Sequence, residues 1–194
     1  IYEDYSEFIE PFGLDECWLD VTGSEKSGEE IAHEIRKRVK SQLGITVSVG
    51  VSFNKVFAKL GSDYKKPDAV TVIDESNYKD IAWNLPCGDL LMVGRSAQKK
   101  LNAYGINTIG DLADTDVTVL KSLFGKNGEM LHSFANGTEC SPVRHKDEIS
   151  EVKSVGNSTT APRDLVNEED VKTIFRVLCE SVSARLREKG LKGR

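Results

Sequence analysis

The chain has 194 residues, of which 39% are hydrophobic and 29% charged, and its formal net charge is −5. This balance fits a soluble globular protein of one large domain or two to three small ones. No apolar run approaches the ~20 residues of a membrane span, so a membrane-embedded helical protein is excluded.

Charge is segregated along the chain. Residues 1–50 hold 11 acids against 5 bases, a net of −6, and residues 151–194 hold 9 bases against 7 acids, a net of +2. Within residues 53–66, Lys55, Lys59, Lys65 and Lys66 stand against Asp63 alone. Such segregation suits one region that holds cations and others that hold phosphate. The four cysteines form no CxxC and the three histidines no zinc spacing, which predicts free thiols in a reducing compartment. The chain opens on Ile1 and stops at Arg194 straight after a helical pattern, so both ends read as cut.

Residues 7–22 read as two short strands around the pair Asp15-Glu16. Residues 27–43 read as a helix: Ile31, Ile35, Val39 and Leu43 recur at every fourth position, Ser24 or Ser27 can cap it, and Gly44 stops it. Residues 45–52 alternate small and β-branched side chains as a strand does; 54–64 form a helix with Val56, Phe57 and Leu60 inward; 69–73 form another strand. The order β-β-α-β-α-β predicts an α+β fold with a ferredoxin-like sheet.

After Asp74 the pattern changes. Only short helical segments follow, near 78–84, 95–104, 108–114, 116–123 and 127–135, with glycines between them. This predicts a small all-helical domain. A polar linker, a strand-like stretch over 151–160 and an amphipathic helix over 167–189 complete the chain. One strand and one helix cannot close a core, so this last domain is expected to be incomplete. The predicted divisions are 1–77, 78–138, 139–150 and 151–194.

The chemistry-bearing stretches are four. Asp15-Glu16 sets two carboxylates side by side between apolar runs, which predicts either a hard divalent cation between them or a solvated turn. Asp4, Glu7 and Glu10 are nearby acids, none in an obvious strand; Asp20 is the other candidate and reads as a surface acid. Lys66, at the end of the second helix before Pro67, reads as a phosphate-attracting cation or a solvated lysine. Gly94 between two short helices, followed by Arg95 and Ser96, can turn backbone N–H groups toward a phosphate, as in a helix-hairpin-helix, or can be an ordinary turn. Gly125 and Gly128 form a weaker second copy. Lys153, Ser154 and Ser158 lie on the strand-like stretch, which suits tracking a sugar-phosphate backbone or being a solvated edge.

The order of these stretches is more specific than any one of them. Residues 14–21, 46–59 and Lys66-Pro67-Asp68 resemble the palm of the Y-family (DinB/UmuC-type) translesion DNA polymerases. The hairpin at Gly94 with residues 101–106 resembles that family's thumb, and residues 153–160 resemble the opening strand of its little-finger domain. The resemblance implies that Asp15 and Glu16 bind two Mg²⁺ ions, that Lys66 contacts a deoxynucleoside triphosphate, and that primer–template DNA is the partner. It implies a DNA-directed DNA polymerase that copies damaged template in the bacterial cytoplasm, at the nucleoid, and a sliding clamp as a further partner through a C-terminal segment not in this chain. The family's first catalytic aspartate, its fingers and its steric gate lie upstream of residue 1. Where the family has its first hairpin glycine this chain has Met92, and Leu91 replaces the preceding proline.

Two other readings remain open from sequence. A non-catalytic damaged-DNA-binding module would use only the hairpin and the basic strand. A nucleotide cyclase would share the palm, but it has no duplex to grip with a helical thumb. With one carboxylate upstream, the chain by itself is expected to bind Mg²⁺ weakly, with the repulsion between Asp15 and Glu16 largely unrelieved.

Overall fold

The computed structural model describes residues 1–148 and 151–193; Ile149 and Ser150 of the expected linker, and Arg194, lie outside the described residues. The chain divides into two compact units, Ile1–Asp147 and Glu148–Arg194.

In the first unit, β1 (Ile9–Phe12) and β2 (Glu16–Leu19) form an antiparallel hairpin in the register Ile9↔Leu19 to Phe12↔Glu16. Gly13 turns the chain at φ 79°, leaving Asp15 in the turn and Glu16 as the first residue of β2. Helix α1 (Gly28–Leu43) begins in a reciprocal cap: Ser27 accepts from the Glu30 N–H, and Glu30 accepts from the Ser27 N–H. It ends at Gly44, φ 71°, and buries Ile31, Ala32, Ile35 and Val39.

Strand β3 (Val49–Ser52) runs parallel to β4 (Val70–Ile73), with α2 (Lys55–Tyr64) as the crossover between them. The mixed α/β architecture is the one the sequence predicts. The sheet, however, stands as two separate pairs, and the strand expected over 45–52 is confined to its last four residues. Pairing limits it, because β4 offers partners only from Val49 onward.

The helical part comprises α3 (Tyr78–Ala82), α4 (Arg95–Ala103), α5 (Ile109–Asp114), α6 (Val117–Phe124) and α7 (Lys126–Ala135). It shares one apolar core with α2 and β4: Val56, Phe57, Leu60 and Ile73 belong to the same buried cluster as Leu101, Leu112, Leu120 and Leu131. The expected division near residue 77 is therefore not a break in packing.

Residues 142–147 are not a free linker either. Lys146 N–H donates to the Glu7 carbonyl at 2.9 Å, and Phe8 and His145 form an antiparallel bridge. Glu10, on β1, anchors this segment. Its carboxylate accepts from Lys55 Nζ at 2.6 Å and from the Arg144 N–H at 3.0 Å, with the Arg144 guanidinium at 3.4 Å. The Glu10 and Lys55 side chains are only 12% and 13% exposed. Lys55 also receives the Trp18 indole N–H on its carbonyl, at 2.9 Å. Hairpin, crossover helix and returning chain thus meet at one carboxylate. Glu10, one of the acids near the pair, sits within β1.

The second unit is α8 (Glu168–Glu188) with an extended lead-in. Asn167 caps the helix, Arg163 grips Asp170 with two bonds of 2.8 Å, and Arg185 donates to the Gly156 carbonyl at 2.7 Å. The strand expected over 151–160 does not form. A strand needs a partner edge, and the described residues of this unit supply none. No residue of α8 is buried, and Phe175 is 62% exposed.

Two predictions follow from this packing. A Cβ at Gly50 would collide with the Ala58 carbonyl and the Ser62 nitrogen of α2. Gly50→Ala should destabilise the first unit by about 3 kcal/mol, the upper range for overpacking. Gly94→Ala, with nothing within 4 Å of its Cβ, should stay within about 0.5 kcal/mol of the parent; thermal unfolding of both variants checks this.

The second concerns Glu10. Burial pushes its carboxyl up, but the Lys55 and Arg144 bonds and charges outweigh burial and hold it below the ordinary 4.5. A lowered folded value means stability that is present above 4.5 and is lost as pH falls through the lowered value. Glu10→Gln should cost about 1–3 kcal/mol near neutrality and flatten the loss of stability in acid; urea unfolding across pH measures both.

Candidate active site

A groove of about 420 Å³ opens between the two strand pairs. Cys17, Trp18 and Leu19 of β2 line one side, residues 49–52 of β3 the other, and Ile31 and Ile35 of α1 the floor. Among the described residues neither β2 nor β3 has a strand partner on the groove side. Asp15, Glu16, Lys59, Lys66 and Asp68 also line it. The acid pair and Lys66, far apart in sequence, are therefore brought to one cavity.

Charges here form an alternating chain. Lys59 Nζ lies 3.0 Å from Glu16 Oε1 and 2.5 Å from Asp63 Oδ2; the other oxygen of Asp63 lies 2.6 Å from Lys66 Nζ. Lys59 and Asp63 are one helical turn apart on α2, so they share a face. Burial pushes the Lys59 ammonium down, but its bonds and charge contacts with Asp63 and Glu16 outweigh burial and raise it above its ordinary value. Burial likewise pushes Asp63 up, and the two lysines pull it below the ordinary carboxylate range.

The loop that carries Lys66 is strapped to α1. Arg36 donates to the Asp68 carbonyl at 2.7 Å and to its carboxylate at 3.2 Å, and Lys40 donates to the same carboxylate at 2.7 Å. Asp68 takes φ 53°, a conformation uncommon outside glycine, which these bonds support.

Three of the four neighbouring acids are engaged elsewhere. Asp4 pairs with Arg38 at 2.6 Å, Glu10 with Lys55, and Asp20 accepts the Thr22 N–H at 2.8 Å. No group of three or more His, Cys, Asp or Glu side chains is placed to hold a metal among the described residues. The repulsion within the acid pair is nevertheless not left unrelieved, because Lys59 neutralises Glu16. Lys59, Asp63 and Asp68 are the site residues that sequence reasoning missed. The spacing of Lys59 and Asp63 on a recognised helix was an available signal; the contacts of Asp68 with α1 left none.

Mg²⁺ takes one or two carboxylates and completes its shell with phosphate oxygens and water. The oxygen donors of Asp15 and Glu16, on a groove that also presents Lys66, fit that requirement.

The other singled-out residues lie outside the groove. Gly94 precedes α4 with no side-chain cap, and Arg95 and Ser96 are exposed beside it. Met92 adopts φ 70°, the backbone conformation that a glycine would take without cost. Gly125, φ 62°, precedes α7, again with no side-chain cap. Gly128 is buried instead: a Cβ there would strike the Leu120 carbonyl, so its role is close packing of α7 on α6. In the second unit Lys153, Ser154 and Ser158 are exposed on the extended lead-in.

Residues 1–63 match the impB/mucB/samB family, residues 88–139 the DNA polymerase-iota thumb domain, and residues 152–194 the impB/mucB/samB family C-terminal domain. The chain is 57% identical to DNA polymerase IV of Acetivibrio thermocellus, over 100% of this chain and 49% of that protein. It spans about half the length of the curated relatives it matches. A solved Y-family DNA polymerase chimera, Dbh-Dpo4(243-245)-Dbh, is 29% identical, with a TM-score of 0.67 over 75% of this chain and 44% of that one. An insertion ternary complex of Dbh DNA polymerase is also 29% identical, with a TM-score of 0.66 over 73% and 42% of the two chains. Three matches fall in chain order on the hairpin and its groove, the helical part and the second unit, and the chain belongs to the Y family of DinB-type DNA polymerases.

Proposed function

We propose that the full-length protein carrying this chain is a template-directed DNA polymerase of the translesion type, which adds deoxynucleotides to a primer end opposite damaged template. The observation that carries this reading is the shared groove of Asp15, Glu16 and Lys66. Asp15 and Glu16 would hold two Mg²⁺ ions through hard carboxylate oxygens. When bound, such a pair lowers the pKa of the attacking hydroxyl and stabilises the leaving pyrophosphate. Lys66 draws the triphosphate toward the acid pair and offsets its charge. The Arg36–Asp68–Lys40 strap holds the Lys66 loop against α1, so this cation is positioned before substrate arrives.

The resemblance implies a third carboxylate beside Asp15 and Glu16. The resemblance puts the family's first catalytic aspartate on a strand upstream of residue 1. The groove between the open edges of β2 and β3 is the place for it, since a strand there would make one sheet of the two pairs.

The helical part would grip the duplex. The free N–H groups at the start of α4, after Gly94, face outward with Arg95 and Ser96, and those of α7 follow Gly125; both suit backbone phosphates. Lys153, Ser154 and Ser158 would track a further stretch of backbone. The Dbh relative was solved as an insertion ternary complex, which supports DNA and nucleotide as substrates. A sliding clamp is the further partner proposed for the intact protein. The DNA polymerase IV named above is bacterial, and the cytoplasm, at the nucleoid, is the site of action proposed for the intact protein.

In the full-length protein Asp15→Ala should slow primer extension by about 10³-fold, roughly 4 kcal/mol of lost transition-state stabilisation. Lys66→Ala should raise the KM for deoxynucleotides about tenfold, as loss of a charged hydrogen bond does, with a smaller change in kcat. Steady-state extension assays measure both, and extension unchanged by Asp15→Ala would refute the role given to the acid pair. The 194-residue chain alone should not extend a primer.

A further inference from the structure

Lys59 is an ammonium shared by two carboxylates, and one of these belongs to the acid pair. Its side chain is only 18% exposed, while Glu16 and Asp63 are 37% and 45% exposed. A cation so far removed from water needs a carboxylate partner at all times. A second, divalent cation on Glu16 would stand close to that ammonium and repel it. Asp63 already touches Lys59 from the next turn of α2, so Lys59 can give up Glu16 without any backbone movement.

We infer that Lys59 is the built-in counter-ion of the acid pair: it holds Glu16 while no divalent cation is there, and Asp63 is the carboxylate that retains Lys59 when Glu16 turns to such a cation. The inference rests on the reading of Asp15 and Glu16 as metal-binding residues. Lys59 and Asp63 are positioning residues in this account. Lys59 offsets part of the acid pair's charge and keeps Glu16 aimed at the groove; Asp63 sets how readily Glu16 is released. Asp63 also holds Lys66, so the same carboxylate links the cation-binding end of the groove to the phosphate-binding end.

A purely structural role, tying α2 to the hairpin, makes a different forecast. Loss of a tie weakens cation binding whichever partner is removed. The counter-ion account requires opposite signs. The test uses Mn²⁺ as the probe and the full-length protein, with free Mn²⁺ followed by electron paramagnetic resonance and folding followed by thermal unfolding. Lys59→Met should tighten Mn²⁺ binding by about fivefold, the upper range for a partly exposed ion pair, because the competitor is gone. Asp63→Asn should weaken it by a similar factor, because Lys59 then stays on Glu16. In the Lys59→Met background, Asp63→Asn should have no further effect. Lys59→Gln takes the place of Lys59→Met should the latter not fold.

The inference is overturned if both single variants weaken binding, or if neither changes it. The double variant Asp15→Asn, Glu16→Gln separates the two levels of the argument. If it binds Mn²⁺ as the parent does, the acid pair is not the metal site and the proposed function fails with the inference. If it loses Mn²⁺ while Lys59→Met and Asp63→Asn stay at parental affinity, only the counter-ion role falls.

Discussion

The carboxylate of Glu10 joins three parts of the chain that are remote in sequence. It receives Lys55 at the start of α2 and the main chain of Arg144, while Lys55 in turn receives the Trp18 indole from β2. The partners are nearly shut off from water, so removing one would leave the other as a charge without compensation. That cost fixes the hairpin against α2. Glu16 is carried by the hairpin and Lys59 and Asp63 by α2, so the 3.0 Å contact between Glu16 and Lys59 depends on this junction. The Phe12–Trp18 ring pair, with centroids 4.7 Å apart, stiffens the hairpin beside it.

The helical part is held by different means. Its core is apolar and continuous with the inner face of α2, through Phe57, Tyr78 and Trp83. Its polar devices are at helix ends. Thr108 and Asp116 cap α5 and α6 with their own side chains, whereas α4 and α7 begin at Gly94 and Gly125 with none. A capped start has satisfied its N–H groups internally and has less to offer a ligand; an uncapped, exposed start keeps them available. Helix α3 also starts without a side-chain cap, at Asn77, but the uncapped starts of α4 and α7 are the glycine turns that the sequence singles out. Lys100, by contrast, is spent on structure: it donates to the Leu123 carbonyl at the end of α6 and lies over Phe124.

What the sequence made legible divides along the same line between local and non-local causes. Helices were read to within a residue or two because their signals are local: the Ser27–Glu30 cap, the fourfold spacing of Ile31, Ile35 and Val39, the stop at Gly44. Strands depend on partners elsewhere, so residues 45–48 and 151–160, both strand-like in composition, have none and stay unpaired. The acid pair and Lys66 were found from their order in the chain. Their counter-ions were not, because Lys59 and Asp63 gain meaning only when α2 is laid along the hairpin. The expectation of an unrelieved acid pair failed for that reason: it weighed charges near in sequence and left out a lysine that folding brings within 3.0 Å.

On the proposed reading, the pairing of the groove's charges other than Asp15 has a consequence for what it accepts. Glu16 is held by Lys59, Lys66 by Asp63, and Asp68 by Arg36 and Lys40. At Glu16 and Lys66 binding is exchange, not capture by a bare charge. A divalent cation arriving alone would displace Lys59 and leave an added positive charge in the groove. A triphosphate arriving alone would draw Lys66 away from Asp63 and leave Glu16 and Asp63 to share the single ammonium of Lys59. Arriving together, each supplies the charge that the other's exchange leaves unmatched: the cation serves Glu16 and the phosphates serve Lys66, while Asp63, freed from Lys66, is kept by Lys59. The alternating carboxylate–lysine chain therefore favours a metal–triphosphate complex over either component. An apolar lining of equal volume would hold the strands together as well, but it could not make that distinction.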